Sequence, residues 1–535
     1  MSHARRLLLV LLASCLLLFT FQIGNRDFWD PDEPRYAGIS LGILRSADWV
    51  QLRDNGETYT HKPPLFFWMV AAAARLGGGL NETTARIPSS AAALLCALGV
   101  FSLGRRLFGA RVGWLGAMVL ATTQRYFVEA RWVHMDTLLA LFVLLSMVSV
   151  FRALEGERAQ WVWAYSWMAL GCLTKGPLAL AFPAVGLLVF LGSSGELRRL
   201  LQCGAWWGIP LALTPATVWL LIHARLAGFS ALEVIRTHVF QRLQTGLHHP
   251  RPASYYLLSL PLEFLPWTLF LPGAFLETLP VSGRENRRSL LFLYGWIVGG
   301  VALLSIIAEK RPSYLLPVFP PLALLIGAFL DSFLTRYDAA PLKRWIEWPM
   351  MLGGAACLAG TMALARMGGD TPGLVARLAP LGLFLSVVFA AAWWALLWRR
   401  RGVGIIILFA GFSVVYLAIV VTFVPWLNGY KSARAFSARI ILRAGASPVG
   451  VYGDPLPGVA YYSHRHLPLV PSAQALARFL QGPPEGYCVL RAEEFQGLSL
   501  RVPMRVLEEA RVGHRGLLLV GGAARDGPQE EASPR

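Results

Sequence analysis

The chain alternates long apolar blocks with short, charge-bearing connections. The blocks lie at roughly 7–23, 88–104, 112–124, 137–151, 161–173, 177–192, 203–222, 259–279, 289–308, 313–333, 346–366, 378–397 and 403–424. An α-helix needs about 20 apolar residues to cross the hydrocarbon core of a bilayer. The pattern predicts an all-α polytopic membrane protein of about thirteen transmembrane helices, several of them short or interrupted by Pro or Gly.

The connections sort into two kinds. With the N-terminus and its Arg5 and Arg6 taken as cytoplasmic, every second connection is short and basic. These carry Arg105, Arg106 and Arg111; Arg152 and Arg158; Arg198 and Arg199; Arg284, Arg287 and Arg288; Arg336, Lys343 and Arg344; and Arg399, Arg400 and Arg401. Such a register obeys the positive-inside rule without a break. The opposite connections hold 24–87, 124–136, the break at 173–177, 223–258, 309–314 and everything after 424, with all of the 10 histidines except His3. A helical scaffold presenting functional loops on one face suits an enzyme at a membrane surface.

The expected organisation is a transmembrane domain over 1–427, with outer loops 24–87 and 223–258, followed by a small extracytoplasmic α/β domain over 428–522. In that second part, SPVGVYGD (447–454), YCVLRAEEF (487–495) and RGLLLVGG (515–522) read as strand-bearing segments, and SAQALARFL (472–480) reads as a helix. Residues 523–535 are expected to be disordered.

Composition agrees: 55% of residues are hydrophobic and 15% charged, with a mean hydropathy of +0.51. The formal +18 therefore sits in loops, where it sets orientation and meets anionic headgroups or phosphate-bearing substrates; no nucleic-acid module is recognisable. The 6 cysteines show neither metal-ligand nor disulfide spacing. Leu12-Ala13-Ser14-Cys15 resembles a lipoprotein cleavage box, but the apolar run continues to Phe21, so an uncleaved first span is expected.

Candidate chemistry concentrates in the outer connections. Asp32 and Glu33 sit between Pro31 and Pro34, just past the first block. A carboxylate there can orient an acceptor or take its proton; the plainer reading is a solvated pair balancing Arg35. Lys62 precedes Pro63 and Pro64, which hold it extended, a suitable anchor for phosphate or else an interfacial lysine. Asp136, two residues after His134, reads equally as an N-cap of the fourth span. Lys175 stands in the Thr174–Pro177 break, where a turn needs Gly and Pro but no lysine. Loop 223–258 strings together His238, Arg242, His248, His249 and Arg251, a set suited to phosphate capture. Its histidines leave a divalent metal open, although no pair has helical ligand spacing. Glu309, Lys310, Arg311 and Tyr314 cluster at another span, and Lys431 follows the last one.

In order and spacing, DPDEPRYA (30–37), KPP (62–64), WVHMDTLLALF (132–142), LTKGPLALAFP (173–183), HVFQRL (238–243) and EKRPSYLLPVFP (309–320) resemble the bacterial aminoarabinose transferases of lipid A. Those enzymes group with the protein O-mannosyltransferases among membrane glycosyltransferases of the C-type fold. The resemblance implies a polyprenyl (undecaprenyl) phosphate sugar as donor and an inverting transfer on the periplasmic face of the inner membrane. It implies a lipid A-type glycolipid as acceptor, or Ser/Thr hydroxyls if the chain follows the protein O-mannosyltransferases. Asp32 and Glu33 match the acidic, catalytic pair. Lys62, Arg242, Lys310 and Tyr314 match donor-phosphate positions. Arg35, Tyr36, His61, Asp136, Lys175, His238 and Lys431 are taken as substrate-binding. No cofactor or resident metal is assigned, a monomer is expected, and no nucleic-acid partner is implied. One departure stands out: the relatives commonly read Glu-Lys-Pro where this chain has His61-Lys62-Pro63. A lipid or sugar flippase is the reading from another class, and it would place charges mid-span at broken helices.

Overall fold

The structure is a computed structural model that describes residues 3–241, 250–279, 286–336, 340–366, 372–482 and 485–522. Two compact units emerge: Met1–Gly24 with Asp48–Leu52 and Tyr59–Val424, and Asn25–Ala47 with Arg53–Thr58 and Pro425–Arg535. The sequence expectation grouped 24–87 with the membrane helices, whereas much of that stretch packs with the C-terminal residues.

The first unit is helical: α1 (His3–Thr20), α3 (Leu65–Leu76), α4 (Glu82–Phe108), α5 (Ala110–Ala121), α6 (Gln124–Ala130), α7 (Asp136–Leu154), α8 (Gln160–Lys175), α9 (Leu178–Ser194) and α10 (Ala205–Ala227), then further helices at Arg287–Ile306, Phe319–Thr335, Ala340–Arg366, Pro372–Leu397 and Arg401–Ala418. Each apolar block falls on helical structure, the 259–279 block on a broken pair. Among the described residues, 9 helices are long and apolar enough to cross a membrane, or up to 10 if the pair Tyr255–Glu263 and Trp267–Thr278, bent by 108°, counts as one. The blocks at 112–124, 161–173 and 177–192 correspond to the short helices α5, α8 and α9.

Burial separates inner helices from outer ones. The Pro312–Thr335 segment is 94% buried and α7 83%, whereas Gly373–Leu397 is 11% buried and α10 17%. The outer helices expose Leu221, Val387 and Trp394, as a lipid-facing surface does.

Local chemistry fixes the ends. Asn81 caps α4 by accepting from Thr83 N (2.9 Å) and Thr84 N (3.0 Å), and Thr84 Oγ1 accepts from Asn81 N at 3.0 Å. Arg105 and Arg106 occupy the last turn, where cations complement the helix dipole. Helices α4 and α5 then meet backbone to backbone through Gly104 and Gly113. A Cβ on Gly113 would lie 2.4 Å from Phe101 O. Gly113→Val is therefore expected to destabilise the protein by about 1–3 kcal/mol, read as a lowered thermal transition in detergent. Gly360→Ala, where a Cβ meets nothing within 4 Å, should leave the transition in place.

The second unit holds α2 (Asp32–Ser46), a two-strand hairpin of β1 (Arg53–Asp54) and β2 (Glu57–Thr58), and a five-stranded sheet of order β4-β3-β5-β7-β6. In that sheet β3 (Val449–Tyr452) runs parallel to β4 (Leu469–Val470) and β5 (Tyr487–Arg491). Strand β7 (Arg515–Gly522) is antiparallel to β5 and to β6 (Met504–Val512). Leu476, Leu480, Cys488, Leu490, Leu518 and Val520 form its core. Strand β6 was not foreseen, because Arg505, Glu508 and Glu509 break up its apolar pattern. The reading of 523–535 as disordered lies outside the described residues.

Candidate active site

In the second unit, the acidic stretch is tied down from several sides. Asp32 and Glu33 occupy the first turn of α2, where the helix dipole favours negative charge. Glu33 is buried and clasped by Arg26: Nη2 donates to Oε1 at 2.7 Å and Nη1 to Oε2, while Trp29 N also donates to Oε2 at 3.2 Å. Arg26 stacks 4.5 Å from the Trp29 ring centroid, and Trp29 Nε1 donates to Asn428 Oδ1 at 2.8 Å. Lys431 lies over the same indole, 5.4 Å from its centroid. Asp27 pairs with Arg434 (3.0 Å) and accepts from Ser432 Oγ (2.7 Å). Asp30 accepts from Gly458 N (2.7 Å), and burial pushes its carboxyl above the usual range. These ties explain why 25–47 packs with the C-terminal residues.

Arg35 pairs with Asp54 of the hairpin at 3.1 Å, and Tyr36 is buried. The hairpin turns on Asn55 (φ 48°) and Gly56 (φ 87°), the Asn-Gly signature of a tight two-residue loop. Asn55 exchanges two hydrogen bonds with Leu467, at 2.6 and 3.0 Å. Glu33 is thereby tied into the structure, whereas Asp32, one residue before it, is half-buried.

In the first unit, Asp136 begins α7 and Lys175 ends α8, so each charge sits at the helix end that favours it. The two form an ion pair with side chains 9% and 5% exposed. Asp136 is not an N-cap: Met135 holds that position without a side-chain bond, because the carboxylate is taken by Lys175. The Lys175 ammonium also lies 4.1 Å from the centroid of the Tyr314 ring, and the field of Lys62 reaches Asp136. Gly176 (φ 83°) reverses the chain behind Lys175.

Lys310 does not join this group. Its buried ammonium donates to Ile307 O, and burial lowers it from the ordinary lysine value. The cation against Tyr314 is therefore Lys175, not Lys310. His61 lies 4.7 Å from His238, ring to ring, and 5.2 Å from Tyr59; His238 Nε2 is 3.3 Å from Thr60 Oγ1. Arg242, His248 and His249 lie outside the described residues.

Sequence reasoning overlooked Glu129. Its carboxylate is 2.8 Å from His134 Nδ1, and Arg125 bridges Glu129 (3.5 Å) to Glu263 (2.5 Å). Glu129, His134 and Asp136 bring ligand-type atoms within 4.8 Å of one another. A divalent ion there would have to displace Lys175 from Asp136, because Arg125, Lys175 and His134 already answer the two carboxylates.

The first unit is thus a bundle of membrane-length helices with a lysine–carboxylate pair at two helix ends. The fold matches the crystal structure of ArnT from Cupriavidus metallidurans bound to undecaprenyl phosphate, with a TM-score of 0.82, 20% identity, and 99% of this chain and 100% of that chain covered. It also matches, more distantly, an archaeal oligosaccharyltransferase from Archaeoglobus fulgidus, with a TM-score of 0.51, 12% identity, and 93% of this chain and 71% of that chain covered. Residues 61–222 match the dolichyl-phosphate-mannose-protein mannosyltransferase family. Undecaprenyl phosphate-alpha-4-amino-4-deoxy-L-arabinose arabinosyl transferases from Pseudomonas paraeruginosa and Pseudomonas aeruginosa are 30% identical over 391 and 392 residues, 72% of this chain and 69% of theirs. The chain belongs to this arabinosyl transferase family.

Proposed function

We propose that the chain transfers a sugar from undecaprenyl phosphate to a lipid A-type glycolipid on the periplasmic face of the inner membrane. The observation that carries this reading is the 30% identity sustained over 72% of the chain with transferases named for that donor. The thirteen-span topology, with a cytoplasmic N-terminus and a periplasmic C-terminal α/β domain, belongs to the same proposal and draws its support from the basic connections.

In the reaction, an acceptor oxygen forms a bond to the anomeric carbon as the bond from that carbon to the lipid phosphate breaks. Lys62, Arg242 and Tyr314 receive the leaving phosphate, a task for fixed cations and donors. Lys175 and Asp136 hold the Tyr314 ring and the surrounding charge in place. Asp32 orients the acceptor. A phosphate acceptor attacks as the anion it already is, whereas a hydroxyl acceptor gives its proton to Asp32. His61 stands where relatives commonly carry a carboxylate next to the lysine, with the His238 ring 4.7 Å away, so the sugar taken need not be an amino sugar.

Lys62→Ala is expected to cut transfer by about 10²–10³-fold, the scale for removing one transition-state donor, with Lys62→Arg recovering part of it. The readout is labelled sugar moved from the polyprenyl phosphate by purified protein; near-normal rates in the alanine variant would remove Lys62 from the mechanism. The match of 61–222 to protein mannosyltransferases favours a second acceptor, Ser/Thr hydroxyls. Mass spectrometry of lipid A and of periplasmic proteins from cells with and without the gene separates the two.

A further inference from the structure

The second unit holds a cavity of about 260 Å³ that none of the roles above uses. One wall is a face of α2, on which Pro34, Gly38, Gly42 and Arg45 recur at helical spacing. The two glycines leave the helix backbone bare, and a Cβ on Gly38 would meet nothing within 4 Å. The hairpin supplies Arg53, and the segment after the Pro457–Ser463 helix supplies His464, Arg465 and His466.

The charge on these walls is strongly one-sided. Arg45, Arg53 and Arg465 face a single carboxylate, Asp54, and Asp54 is already paired with Arg35. The arginines are oriented rather than loose. Arg465 donates to Ser447 O at 2.9 Å and to Gly445 O, and Arg53 donates to Gly56 O at 3.3 Å. Arg45 and Arg53, both lining residues, are exposed. A guanidinium fork matches the oxygens of a phosphate better than any other common group does, and the imidazoles of His464 and His466 add donors of the same kind.

We infer that this cavity binds a phosphomonoester group. It opens along the helix whose first turn carries Asp32, so a bound phosphate would hold an acceptor headgroup on the same element. The same chemistry is offered by the phosphate of a glycolipid headgroup and by free phosphate ion. Only the first source rests on the glycolipid reading above.

The test uses the full chain in detergent and titrates inorganic phosphate calorimetrically in phosphate-free buffer. The wild-type protein should bind. Arg45→Gln/Arg53→Gln should weaken binding by about tenfold or more, the scale of a lost charge-assisted hydrogen bond. Gly38→Leu, which fills the cavity without opposing the backbone, should weaken it as much. Should the arginine variant fold poorly, the Gly38 variant alone decides. In transfer assays, a raised KM for glycolipid acceptor in both variants assigns the pocket to the headgroup, and an unchanged KM assigns it to free phosphate. Absence of phosphate binding by the wild type, or undiminished binding by both variants, overturns the inference. Transfer with normal KM and no phosphate binding would leave the proposed function standing and remove only this site. Phosphate binding without any transfer would count against the function and not the pocket.

Discussion

Asp32→Asn is expected to lower sugar transfer by about 10²–10⁴-fold, the range for a positioned carboxylate acting on an acceptor, with no loss of folded protein. Its neighbour should behave in the opposite way. Glu33 is buried under a two-point clasp from Arg26, and breaking a buried charge pair costs about 3–5 kcal/mol. Glu33→Gln should therefore appear first as a lowered thermal transition and reduced yield, with a transfer rate per folded molecule much closer to normal. Two measurements on each variant, the detergent-solubilised melting transition and labelled-sugar transfer, separate the roles. If both variants lose rate without losing stability, the two carboxylates act together and the division drawn from the Arg26 clasp is mistaken.

Much of the helical architecture was legible because a bilayer leaves no other way to satisfy the backbone. Long apolar blocks announce themselves, and each fell on helical structure, although 259–279 is broken between Glu263 and Trp267. What escaped was structure that lipid does not dictate. Helix α3, LFFWMVAAAARL, is too short to span and was absorbed into a loop. Helix α2 hid behind the charged run that begins it, because its buried positions, such as Tyr36, Ile39 and Ile43, make a weak signal beside DPDEPR. The packing of 25–47 with the C-terminal residues depends on single long-range bonds, such as Asp30 with Gly458 and Trp29 with Asn428. No local periodicity reports such bonds.

The site residues show the same division. Candidates could be nominated from the sequence, because a lysine or carboxylate beside an apolar block is conspicuous. Their partners could not. Asp136 looked like a cap because capping is a local motif, while its real partner, Lys175, lies 39 positions away at the end of another helix. Lys310 looked like the natural companion of Tyr314, four residues on, yet its ammonium turns back to Ile307 O. Glu129 drew no attention inside QRYFVEARWVHMD, although its contacts with His134 and Arg125 make it a hub.

The Lys175–Asp136 pair carries the other large expected effect. Both side chains are nearly inaccessible, so Lys175→Met would leave a buried carboxylate without its ion-pair partner, and Asp136→Leu a buried ammonium without its own. Each single variant should lose about 3–5 kcal/mol of stability and, with it, transfer. The double variant removes both charges together and should regain most of the thermal transition, since replacing a buried pair by apolar groups is often nearly neutral. If Tyr314 meets the leaving phosphate as proposed, transfer should stay low in the double variant, because the ammonium that lies 4.1 Å from its ring is missing. A double variant that recovers stability and transfer alike would make the pair a structural tie. One that recovers stability alone ties the pair to the chemistry at Tyr314, and the extent of lost rate then measures how much the ammonium over that ring contributes.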